Sequence, residues 1–86
     1  MEDIVFRIEV FGFDANGKQI FEDMIEEVDS DEAYQSMKTV IAMSSSIDNI
    51  RKKIWIPDPV KTLSLELNQY NDGECADKVF KKKFKL

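Results

Sequence analysis

The chain has no histidine and only one cysteine, two prolines and three glycines among its 86 residues. Without imidazole there is no histidine general base, no Ser-His or Cys-His nucleophile pair and no histidine-ligated metal. A single thiol, Cys75, cannot close an internal disulfide, and a zinc site built on it would need carboxylates or a second chain. Cys75 reads as a small apolar residue near a loop rather than a reactive thiol. Gly12, Gly17 and Gly73 stand far apart, so neither a phosphate-cradling loop nor a dinucleotide fingerprint can be written. No apolar run approaches the roughly 18 residues a membrane helix needs, and Met1-Glu2-Asp3 is acidic where a secretion signal is basic. Together these absences lead to the expectation of a cytoplasmic, non-catalytic protein with no cofactor, no metal and no membrane association.

What is present is a globular composition, 43% hydrophobic and 34% charged, in a chain of a length that suits one domain over residues 1–86. The net charge of −5 is unevenly placed. Residues 1–50 carry 3 basic and 12 acidic side chains, and residues 51–86 carry 9 basic and 5 acidic ones. Such asymmetry marks either a partner-binding face or two halves that attract each other in the folded domain, and the second is the plainer reading.

Two apolar-rich runs meet at Asp14-Ala15-Asn16-Gly17, where Asn-Gly predicts a two-residue hairpin turn with positive φ at both central positions. In the first run Ile4, Phe6, Ile8 and Val10 alternate with Arg7 and Glu9, the pattern of a strand with one wet side. Gly12, between Phe11 and Phe13, suggests a bulge. The second run, Lys18 to Val28, mixes two phases, and a two-residue turn would set Ile8 opposite Ile25 and Val10 opposite Asp23. Asp29-Ser30-Asp31-Glu32 has the chemistry of a helix start, with Asp29 as cap and Glu32 reaching back to it. Ala33, Tyr34, Met37, Val40, Ile41 and Ser44 then give a helix of about three turns with an apolar stripe. The serines and asparagine of Met43 to Asn49 end it.

Ile50, Ile54 and Ile56 share one phase against Arg51, Lys53 and Trp55, which predicts a third strand stopped by Pro57-Asp58-Pro59. Leu63, Leu65 and Leu67 alternate with Ser64, Glu66 and Asn68, a fourth strand over Thr62 to Tyr70. Asn71-Asp72-Gly73 breaks it. The tail fits a helix with Ala76, Val79, Phe80 and Phe84 on one face, or a strand with Phe80, Phe84 and Leu86 among lysines, and the helix is preferred. The expected fold is therefore α+β: a small, mostly antiparallel sheet in the element order β-β-α-β-β, followed by a short C-terminal helix (or strand), with the central helix packed on one face of the sheet.

Phe6-Arg7-Ile8-Glu9-Val10-Phe11-Gly12-Phe13, a turn, Phe21, a helix and Ile50 to Ile56 together resemble the strand-strand-helix-strand order of the LX-type ribosomal proteins. The resemblance covers roughly the first 56 residues and implies topology only. That family is basic and binds ribosomal RNA, whereas this half of the chain is strongly acidic, and no residue role carries over.

Two binding readings follow. Glu22, Asp23, Glu26, Glu27 and Asp31 form a dense acidic stretch suited to docking on a basic partner protein, with an exposed sheet edge able to assist by strand addition, and self-association is a variant of the same idea. Alternatively Arg51, Lys52 and Lys53 beside Trp55, and Lys78, Lys81, Lys82, Lys83 and Lys85 around Phe80 and Phe84, combine cations with rings as a nucleic-acid site does. The plainer view buries Trp55 and both phenylalanines in the core with lysines around them. A protein-binding adaptor is thus the first expectation and a nucleic-acid binder the alternative.

Overall fold

The computed structural model describes residues 3–29, 35, 38–40, 42, 44 and 46–86. Four strands form: β1 (Ile4–Phe13) and β3 (Thr62–Asn71), where apolar and polar residues alternate, and β2 (Gln19–Asp29) and β4 (Glu74–Lys85), where the phases are mixed. They make one antiparallel sheet in the order β2-β1-β3-β4, so the two hairpins meet at β1 and β3 and leave β2 and β4 as edges. The connection between β2 and β3 holds a short helix, α1 (Ile47–Arg51), and an earlier helical stretch whose described residues are Gln35, Lys38, Thr39, Val40 and Ala42.

This overturns the α+β expectation in three places. Among the described residues 14% are helical, in two short stretches, where one central helix packed on the sheet was expected. Ile50 to Ile56 is not a strand: Ile50 is a fully buried residue of α1, and Ile54 and Ile56 pack on the core from the segment after it. Three inward isoleucines satisfy burial equally well from a helical turn followed by a loop, and Ser46, whose Oγ accepts from Asp48 N at 3.1 Å, starts that turn. The earlier helical stretch does end among these residues, with Ser44 in a turn, and Ser46 then begins α1. Finally, the tail is β4, the strand alternative and not the preferred helix. Asp72 (φ 51°) and Gly73 (φ 87°) form a two-residue turn that folds it back on β3, and Asn71 pairs with Glu74 across it. The likeness to the LX-type order fails with the 50–56 strand. The predicted helix start at 30–32 and the stripe residues Ala33, Tyr34, Met37 and Ile41 lie outside the described residues, and Asp29 is the last residue of β2.

The first hairpin also differs in detail. Asp14 accepts from Gly17 N through its carbonyl at 3.0 Å and donates to Lys18 O at 2.9 Å, so the loop has three residues and only Gly17 takes positive φ, 82°. Asp14 Oδ1 accepts from Asn16 N and Lys18 N, both at 2.9 Å, which favours this longer turn over the two-residue form. Val10 does face Asp23, and bulges between Ile8 and Glu9 and between Gly12 and Phe13 restore the register, placing Ile8 opposite Glu26.

One face of the sheet carries Ile8 and Val10 from β1 and Leu63, Leu65 and Leu67 from β3, all essentially inaccessible, with Val40, Ile50 and Val60 packed over them. Phe6, Phe21, Ile25, Phe80 and Phe84 flank this core. Gly12 sits on the same side because the chain has no room there: a Cβ would lie 2.9 Å from both Val60 methyl carbons and 3.0 Å from Phe21 Cβ.

Candidate functional site

The strand registers set side chains in rows across the sheet, and the rows place the charges. On the face away from the core the rows read Glu22-Phe11-Ser64-Lys83, Met24-Glu9-Glu66-Lys81 and Glu27-Arg7-Asn68-Lys78. On the core face they read Phe21-Gly12-Leu63-Phe84 and Asp23-Val10-Leu65-Lys82. One edge is thus acidic and the other basic, with a polar seam between them.

The acidic edge is β2, which carries Glu22, Asp23, Glu26, Glu27 and Asp29 and no basic residue, together with exposed Ile20 and Met24. Four of the five acids expected to bind a partner, Glu22, Asp23, Glu26 and Glu27, lie exposed on this strand; Asp31 lies outside the described residues. Glu27 is partly engaged, since Arg7 Nε donates to its Oε2 at 2.6 Å, and this bond holds the guanidinium pKa above its ordinary value. The basic edge is β4, with Lys78, Lys81, Lys82, Lys83 and Lys85 against Glu74 and Asp77, and with exposed Val79.

The seam is the feature that sequence reasoning missed. Glu9 and Glu66 face each other on β1 and β3 and are only 6% and 4% exposed, although their face of the sheet was expected to be wet. Asn68 Nδ2 donates to Glu9 Oε1 and to Glu66 Oε1, each at 3.2 Å. Tyr70 O–H donates to Glu9 Oε1 at 2.5 Å, Ser64 Oγ–H to Glu66 Oε2 at 3.0 Å, and Lys78 Nζ to Glu66 Oε1 at 2.6 Å. Arg7 lies over the Tyr70 ring, its Cζ 4.4 Å from the ring centre. Burial pushes the Glu66 carboxyl up, but the bonds from Lys78, Asn68 and Ser64 outweigh burial and leave it below the usual carboxylate value. Burial, then the bond to Glu9, pushes the Tyr70 phenol up to about 12. The Lys78 ammonium is raised by its bond to Glu66. Asn68, 1% exposed, spends its amide hydrogens on the two carboxylates, and its Oδ1 has no hydrogen-bond partner among the described residues. The signal in the sequence was the polar alternation Ser64, Glu66, Asn68, which becomes a site only once β3 is known to lie against Glu9.

The residues of the nucleic-acid alternative are not brought together. Arg51, Lys52, Lys53 and Trp55 line a shallow groove on α1 and the segment after it, and Trp55 is 77% exposed instead of buried in the core. Val60 N donates to Pro57 O at 3.1 Å, in a turn that sets Val60 against Gly12. Phe80 and Phe84 do pack on the core. Lys82 donates to Ser44 O at 2.7 Å on the core side, whereas Lys81 and Lys83 project on the opposite face of the sheet.

Among the described residues no three of the cysteine and carboxylate side chains converge as a metal site, and no helix is long and apolar enough to cross a membrane. No protein-family model, curated protein or solved structure matches the chain.

Proposed function

We propose that this chain is a non-catalytic interaction module whose edge strand β2 accepts a basic, extended segment of another polypeptide as an added strand. The observation that carries the reading is the edge itself: eleven residues that, among the described residues, are paired on one side only, with five acids and no base. Backbone groups on such an edge supply affinity, and alternating pockets and charges supply choice of partner. Exposed Ile20 and Met24 add apolar area beside the acids. The test is titration of a labelled peptide of alternating lysine and valine, about eight residues long, followed by polarisation, with an alternating glutamate and valine peptide as control. Saturable binding of the basic peptide that is lost on Glu22→Lys with Asp23→Lys supports the reading. Equal binding of both peptides, or of neither, rejects it.

The second reading, nucleic-acid binding, is favoured by one observation: Trp55 stands exposed beside Arg51, Lys52 and Lys53. An exposed ring between cations can stack a base while the cations hold phosphate. Quenching of Trp55 fluorescence by single-stranded oligonucleotides at low salt, relieved by added salt, would support it, and unchanged emission would dispose of it.

A further inference from the structure

The sheet ends in two edges of opposite charge, and its strand order makes them geometrically compatible. Because all neighbours in β2-β1-β3-β4 are antiparallel, β4 runs antiparallel to β2. A second copy displaced sideways by one sheet width would therefore bring its β2 alongside β4 as one more antiparallel neighbour. We propose that the basic segment received by β2 is β4 of another copy of this chain, so that copies add head to tail into a continuous sheet. This rests on the strand-addition reading above and names its partner.

Register supports the pairing. With the rows of the two copies aligned, Lys83 falls opposite Glu22, Lys82 opposite Asp23 and Lys78 opposite Glu27, while Phe84 meets Phe21 and Lys81 meets Met24. Directly opposed opposite charges and aromatic pairs are favourable across strands, and no like-charge pair falls in these rows. The stretch Phe21 to Met24 facing Lys81 to Phe84 contains no register shift in either strand. Lys83 contributes most, because Lys78 is shared with Glu66 and Lys82 with Ser44 O. The symmetric alternatives fail on charge: two β2 edges set acids against acids, and two β4 edges set lysines against lysines. A head-to-tail contact does not close on itself as a two-fold dimer does, so association continues beyond two copies.

The experiment is sedimentation velocity of the full chain over a range of concentrations, at about 20 mM and about 500 mM salt. The expected result is a series of species larger than a dimer at low salt, with apparent association weakened about tenfold or more at high salt. Lys82→Glu with Lys83→Glu sets acids opposite Asp23 and Glu22, and Glu22→Lys with Asp23→Lys sets lysines opposite Lys83 and Lys82, so each variant alone is a monomer. Their equimolar mixture associates again, since every edge then meets its opposite. A wild-type chain that stays monomeric at low salt, variants that associate as wild type does, or a two-fold dimer that stops at two copies overturns the proposal. Circular dichroism checks that the variants fold, and the wild-type salt series decides the matter if they do not. A monomeric wild type that still binds the lysine-valine peptide removes this inference alone, whereas failure of both removes the strand-addition reading too.

Discussion

Glu9 and Glu66 stand directly opposite each other on adjacent central strands, both nearly inaccessible, and both accept from the one side-chain amide of Asn68. Like charges so placed repel, and the pair persists because Tyr70, Lys78 and Ser64 donate to the same carboxylates. The seam lies midway between the acidic and basic edges and fixes the orientation of both, since Lys78 reaches it from β4 and Arg7 ties it to Glu27 of β2.

Tyr70 should report this seam by its titration. In Tyr34→Phe, which leaves Tyr70 as the one phenol, ultraviolet absorbance should show ionisation near 12, against an ordinary value of about 10. Because the folded value lies above the unfolded one, the stabilisation linked to this proton is complete below about pH 10 and is lost as pH rises toward the folded value. Adding Glu9→Gln should lower the apparent pKa. A phenol that titrates at its ordinary value in the folded protein would refute the buried bond to Glu9.

Glu66 gives the opposite sign. Its folded pKa is lowered, so its contribution to stability is present above the ordinary glutamate value of about 4.3 and fades as pH falls through the folded value. The difference in urea midpoint between wild type and Glu66→Gln should therefore shrink on acidification. A difference that stays constant from neutral pH to pH values below about 3 would contradict the assignment.

Gly12→Ala should destabilise the fold by about 1–3 kcal/mol in urea unfolding, because the added methyl meets Val60 and Phe21 at closer than contact distance. Val60→Ala opens space at that point but removes buried apolar volume, so the double variant should lose less than the sum of the two single ones. Strict additivity would show that the two residues do not press on each other.

Trp55, by contrast, should be almost irrelevant to stability. Trp55→Ala should change unfolding free energy by less than about 0.5 kcal/mol, and the native emission should lie at the wavelength of hydrated indole and be quenched freely by acrylamide. A blue-shifted, protected Trp55 would place the ring in a core that the structure denies it.

Much of the sheet is written plainly in the chain. Ile8, Val10, Leu63, Leu65 and Leu67 alternate with polar residues and all five prove buried. What misleads is spacing that serves two structures at once. Phe80 and Phe84, four apart, fit one face of a helix and also one face of a strand, and only pairing with Leu67 and Leu63 across the Asp72-Gly73 turn decides between them. Ile50, Ile54 and Ile56 bury themselves from a helical turn and a loop as well as from a strand. The acids of β2 were legible as a candidate docking surface. The seam was not, because Glu9 and Asn68 are 59 residues apart in sequence and meet only through the register of β1 with β3.

The most direct test of strand addition at β2 is a heteronuclear NMR titration of the isotope-labelled chain with the lysine-valine peptide. The amides of Gln19 to Asp29 should shift most, and those pointing away from β1 should gain protection from hydrogen exchange. Shifts confined to Arg51 to Ile56, with β2 unchanged, would contradict the account and move the binding surface to Trp55.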